Sequence, residues 1–299
     1  WLVRTFNELG RASDAASLAK SLIANPRHPK LNSLDKGSSS ASYGRTRLIE
    51  TLIKWERWEE LARLTSGDSP WMPSAVQEGH ESLRLRAFGL ASFHLNHGDD
   101  LKLAITSLET FQEEQKRKKD EAAKKAKAEE AAKEKEPEKR EAKAVTNPVG
   151  EKAKGKGKKA APAKKPKSSP IEEALVELRL LAALMDDDAD AAKKQLTSIK
   201  TEIPADRLAR YWLAVDNKAK AIETSGKINQ DLAGLAAKAS ILALSDKTDD
   251  AKKAIDQLRK VGFTADRTLP MAARLDALCN TLGIKQGWRS KPPVRNDSG

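Results

Sequence analysis

Apolar residues recur along this chain at helical spacing, in short runs that come in pairs. Leu2, Val3 and Phe6 precede Gly10, and Ala15, Ala19 and Leu22 follow it before Pro26. Residues 208–228 repeat that spacing, with Leu208, Ala209 and Trp212 before Asp216, then Ala221, Ser225 and Ile228. Residues 239–258 do so again, with Ala239 and Leu242 before Asp246, then Ala251, Ile255 and Leu258. Each time a small residue is followed at +3 by a large one, at +7 by a turn residue and at +12 by Ala. A helical period on both sides of a Gly or Asp turn predicts two antiparallel helices in close contact.

Three further stretches follow the rule less closely. Residues 90–111 fit with His94 at the large position and Gly98 as the turn, given one extra residue between Gly98 and Ala104. Residues 48–64 are a looser copy, with Trp58 as turn aromatic and Leu61 in place of Ala, and residues 180–199 are degenerate in the same way. Start signals divide the chain at matching places. Ser169, Pro170 and Glu172 read as N-cap, first helical residue and capping-box acid. Ser74 with Gln77 forms a second box, and Pro204 and Pro270 fall where new hairpins begin.

Between these hairpins the pattern changes character. The apolar period that starts at Leu101 ends near Phe111, and residues 112–143 keep helix formers without an apolar stripe. Glu and Lys interleaved among Ala support i,i+4 pairs, so a solvent-exposed helix extension to about Glu136 is expected. Nothing apolar larger than Ala occupies seam positions there, which excludes a coiled coil. Pro137, Pro148, Gly150, Gly155 and Gly157 then end regular structure, and residues 144–168 read as a disordered Lys/Ala/Pro/Gly linker.

Composition fixes the class: aromatics are 4%, charged residues 33%, and no stretch alternates Val, Ile, Thr and Tyr, so an all-α protein is expected. The hairpins resemble the tetratricopeptide repeat, a helix-turn-helix unit of 34 residues, through the residues named above and over roughly 200 positions. That resemblance implies a stacked α-solenoid, a non-catalytic scaffold whose concave protein-binding face is lined by the first helix of each repeat. Residues adjoining the small-residue position would face that groove: Arg4, Asn7, Glu8, Ser92, Asn96, Arg210 and Ser240. The Lys/Asn arrangement with which some members clamp a carboxylate is not reproduced, so the partner is left as an unidentified protein or peptide.

The expected regions are repeats over 1–111, a charged extension over 112–143, the linker 144–168, repeats over 169–288 and a tail or linker over 289–299. The opening at Trp1, partway into a helix, points to a fragment of a larger protein. A helical appendage of an enzyme whose catalytic domain lies elsewhere is therefore an alternative.

The net charge of +12 is unevenly spread, because residues 144–170 hold eight basic residues and one acid. Those are Lys152, Lys154, Lys156, Lys158, Lys159, Lys164, Lys165 and Lys167. They suit weak, salt-steep contact with a polyanion, nucleic acid or an acidic membrane surface, and equally a solubilising spacer.

Candidate chemistry is thin. Residues 150–157 approach the phosphate-loop pattern but end on Gly157, without the hydroxyl that holds magnesium and without a preceding strand. Asp186, Asp188 and Asp190 open like a calcium loop, yet Ala191 and Thr197 stand where Gly and Glu are required, so a helix-capping acidic turn is expected. His94 and His97, with His80 upstream, lack a further metal ligand. Cys279 has core spacing with Leu275, Leu278 and Leu282, and Trp55, Trp58, Trp71 and Trp212 read as packing residues. No catalytic motif, cofactor signature or apolar run long enough to span a membrane is present.

Overall fold

A computed structural model describes residues 1–25, 28, 30, 32, 37–67, 69–73, 78–134, 169–199 and 203–289. Among them the structure is all-α, with no strand. The helices are α1 (Leu2–Glu8), α2 (Ala12–Ala24), α3 (Ser40–Lys54), α4 (Trp58–Thr65), α5 (Glu78–His94), α6 (Gly98–Glu134) and α7 (Pro170–Met185). They continue with α8 (Ala189–Ser198), α9 (Ala205–Ala214), α10 (Lys218–Ser225), α11 (Leu232–Leu244), α12 (Thr248–Val261) and α13 (Pro270–Thr281). By contact the chain divides into Trp1–Thr110 with Ser169–Gly299, and Phe111–Ser168. In the smaller unit every side chain from Lys116 to Lys127 is exposed, with an i,i+4 pair between Arg117 and Glu121 at 3.9 Å.

Six connections between consecutive helices are copies of one turn. A single residue takes the left-handed conformation: Gly10 (φ 74°), Glu56 (57°), Asn96 (60°), Asp187 (56°), Asp216 (57°) and Asp246 (62°). The next residue's N–H then reaches back to a carbonyl five positions earlier, as in Arg57 to Leu52 (2.9 Å), His97 to Ser92 (2.8 Å) and Asn217 to Trp212 (2.8 Å). This double closure satisfies carbonyls that a helix end leaves open and turns the chain directly into the next helix. Asp and Asn tolerate the left-handed region better than other side chains, which explains their recurrence here.

Burial is locked to the same register. The position seven before the turn residue is buried in every copy: Val3, Ile49, Gly89, Leu180, Ala209 and Ala239. The position five after it is at most 1% exposed: Ala15, Leu61, Leu101, Ala192, Ala221 and Ala251. Gly89 carries no side chain because a Cβ there would lie 2.6 Å from Leu178 of α7, so the α5 and α7 backbones approach closely. Ser169 forms the expected capping box with Glu172, and Pro170 and Pro270 open α7 and α13. The Ser74–Gln77 box lies outside the described residues.

Within the larger unit α2 packs on α3, α4 on α5, α5 on α7, α9 on α11, and α11 on α13. Its two sequence ends also meet. Ala12 and Trp55 share a core with Leu232, Leu235 and Met271. Asp266 donates its N–H to the Gly10 carbonyl (3.0 Å), its carboxylate accepts the Ser13 N–H (2.9 Å), and Thr264 Oγ1 donates to the Leu9 carbonyl (2.6 Å). A Cβ on Gly10 would sit 2.8 Å from that of Ala265, so this seam needs glycine for space as well as for φ.

Candidate functional site

A cavity of about 480 Å³ opens in the larger unit, walled by α3, α5, α9 and α11 with Leu184 of α7 and Met271 of α13. In the turn register most lining residues of α3, α5 and α9 fall two, three or six positions before the turn residue or a helical turn further back. Ile49, Ile53, Leu83, Leu90, Phe93 and Ile228 form its apolar wall. These offsets describe one face of α3, α5 and α9, whereas α11 contributes only Ala233, Gly234 and Ala237.

Two charge clusters border it. Glu177 of α7 is completely buried and accepts Arg86 of α5 (2.6 Å), Arg207 of α9 (2.9 Å) and the Tyr211 hydroxyl (2.8 Å). Burial opposes ionisation of this carboxyl, but the two guanidinium groups and the Tyr211 hydroxyl outweigh it and hold the pKa below the ordinary glutamate value. Tyr211, buried against that anion, is pushed well above the usual phenol range. The second cluster lies on the seam: Glu56 pairs with Arg210 of α9 at 2.8 Å and with Arg274 of α13, and Lys54 pairs with Asp231 of α11 at 2.9 Å.

His94 stacks on Trp58 with centroids 4.0 Å apart and planes 11° from parallel. Desolvation between the cavity walls, then the positive charges of Arg210 and Arg207, pull its pKa down to about 4, so the ring is neutral at neutral pH although part of it stays open to solvent. Lys227 and Asn229 stand exposed at the rim, and the Lys227 ammonium has no ion-pair or hydrogen-bond partner among the described residues.

The expected partner-facing residues scatter. Arg210 lines the cavity. Arg4 and Glu8 pair with each other at 3.0 Å on the exposed side of α1, and Ser240 is half-buried with its hydroxyl on the Ala236 carbonyl. Asn7 and Ser92 must be corrected, because both are buried. Asn7 donates to Thr51 Oγ1 (2.8 Å) and accepts from Trp55 Nε1 (2.7 Å), while Ser92 is 0% exposed and bonds the Phe88 carbonyl. Asn96 is the turn residue itself and presents no groove face. For Ser92 and Asn96 the cause is a register slip of two: with Asn96 rather than Gly98 as the turn, no extra residue is needed before Leu101. Ser92 and Asn96 are then replaced by Leu90 and His94, both in the cavity wall. His94 therefore does not hold the large-residue position, which belongs to Ser92.

The remaining candidates resolve singly. His80 bonds Ser42 at 2.6 Å, His97 meets Asp100 at 3.5 Å, and His94 stacks, so the three histidines share no ligand site. Ser42 and His80 have the spacing of a nucleophile and its base, but Ser42 is 3% exposed and the cavity beside His80 measures about 10 Å³, room for one water at most. Asp188 caps α8 by accepting the Ala191 N–H at 2.9 Å. Cys279 is buried, and desolvation raises its thiol pKa. The eight lysines from Lys152 to Lys167 and the phosphate-loop-like residues lie outside the described residues. No described helix is long and apolar enough to cross a membrane. No family model, curated protein or solved structure matches this chain.

Proposed function

We infer that this chain is a non-catalytic protein–protein interaction scaffold, built from tetratricopeptide-like hairpins stacked as an α-solenoid. The observation that carries the reading is positional. First helices α3, α5, α9 and α11, each followed by a copy of one repeated turn, border a common cavity, while the second helices supply the buried Ala or Leu five residues past each turn. That division of labour between paired helices is what a repeat array uses to offer a concave binding wall. The cavity wall is apolar with charged groups at its edges, the composition of a docking surface with a polar rim.

The test is crosslinking capture with the wild-type chain and with Phe93→Asp and Arg210→Glu, each checked for unchanged helicity. Proteins captured by the wild type should be lost from both variants. An identical set from all three would overturn the reading.

A further inference from the structure

We propose that the cavity bordered by α3, α5, α9 and α11 is a site for a small free amphipathic organic anion, an apolar body carrying one carboxylate-like head group. The inference does not rest on the scaffold reading, because it concerns a ligand that fits inside the wall.

Volume and lining support the apolar part. A cavity of about 480 Å³ lies within the roughly 300–1,000 Å³ that small-ligand pockets occupy. Ile53, Leu83, Leu90, Phe93 and Ile228 present hydrocarbon to it.

Charge complementarity selects the head group. The cations at the wall are Lys54, Arg86, Arg207, Arg210 and Lys227, with Arg274 behind Glu56. Their carboxylates are Glu56, Asp206, Asp231 and Glu177, while Glu50 is taken up by Arg47 at 2.5 Å. Cations are therefore in excess, and Lys227 stands unpaired at the rim. Burial, then the positive charges of Arg210 and Arg207, lower the His94 pKa against the opposing pull of Glu177. A cationic ligand would add to this excess, and a neutral one would gain nothing from Lys227.

The probe is decanoate, titrated into the whole chain by calorimetry and followed by thermal denaturation, with decanol and decyltrimethylammonium as matched controls. One decanoate should bind per chain and raise Tm, with decanol and the cation at least about tenfold weaker, a difference of roughly 1.4 kcal/mol. Lys227→Glu, a change at an exposed and unpaired residue, should weaken decanoate by at least about tenfold and leave the Tm of the free protein unchanged. Ala214→Trp fills the exposed side of the wall and should abolish binding. Equal binding of decanol removes the anion from the proposal. Decanoate binding that survives Ala214→Trp places it elsewhere, and either many molecules per chain or no binding up to about 1 mM, a free energy near −4.1 kcal/mol, overturns the site.

Discussion

Glu177 and Glu56 are each held by two arginines, but they tie together different parts of the molecule. Glu177 lies within α7 and takes its partners from α5 and α9, all first helices that follow one another in the chain. Glu56 occupies a left-handed turn at φ 57° and takes its partners from α9 and α13, across the seam that joins the two sequence ends. Both oxygens of Glu177 receive hydrogen bonds, two of them from Arg207. A fully enclosed and fully donated carboxylate is costly to disturb. One whose arginines keep 36% and 56% of their side chains exposed can hand those arginines back to water.

The largest effect is therefore expected at Glu177. Glu177→Ala strands Arg86 and Arg207 in the wall and should destabilise the fold by about 3–5 kcal/mol in urea titrations. Next comes the seam backbone. Gly10→Ala places a Cβ 2.8 Å from Ala265 at φ 74° and should cost about 2 kcal/mol, since the left-handed conformation alone disfavours an L residue by about 1–2 kcal/mol. Glu56→Gln should cost only about 1 kcal/mol, because its partly exposed arginines are resolvated. If Glu56→Gln proves as damaging as Glu177→Ala, the distinction between the two clusters fails.

A smaller effect lies in pH dependence. His94 has a folded pKa near 4, against an unfolded value of about 6.5. Its stabilising contribution is thus complete above about pH 6.5 and is lost as pH falls toward 4, because the unfolded chain binds a proton that the folded one refuses. His80, lowered by burial and by Arg45, acts in the same direction. His94→Gln should flatten the decline between those pH values without removing it. The loss from Glu177 should begin only below the ordinary glutamate range of about 4.3, as its depressed folded pKa requires. Denaturation midpoints measured from pH 8 to pH 3 in both proteins separate the two windows.

The helical hairpins were legible because their signal is local. Gly10, Asp216 and Asp246 carry the turn, and the Ala five residues on carries the contact, all within a dozen positions. The hairpin of α5 and α6 misled because Gly98 is a stronger turn signal than Asn96, yet the αL turn residue is Asn96. A two-residue error moved every face assignment on α5. Glu177 offered a signal that passed unread: a lone acid between Leu175 and Leu178 in an apolar run must find partners if it is buried. Its partners, Arg86 and Arg207, lie 91 and 30 residues away, and no spacing rule pairs helices at such distances. The seam between Gly10 and Asp266 is equally nonlocal, at a separation of 253 residues for the Ser13 contact.

That contact offers the most direct test of the account, which holds that the first and last elements close together beside the cavity. Ser13 is in the first turn of α2, where a backbone N–H has no partner within its own helix, and its hydrogen bond runs to Asp266 Oδ2 at 2.9 Å. Amide hydrogen exchange by NMR should find the Ser13 N–H protected in the wild type and released to near the intrinsic rate in Asp266→Ala, with the core amides of α11 unaffected. A Ser13 amide that exchanges freely in the wild type would contradict the closure.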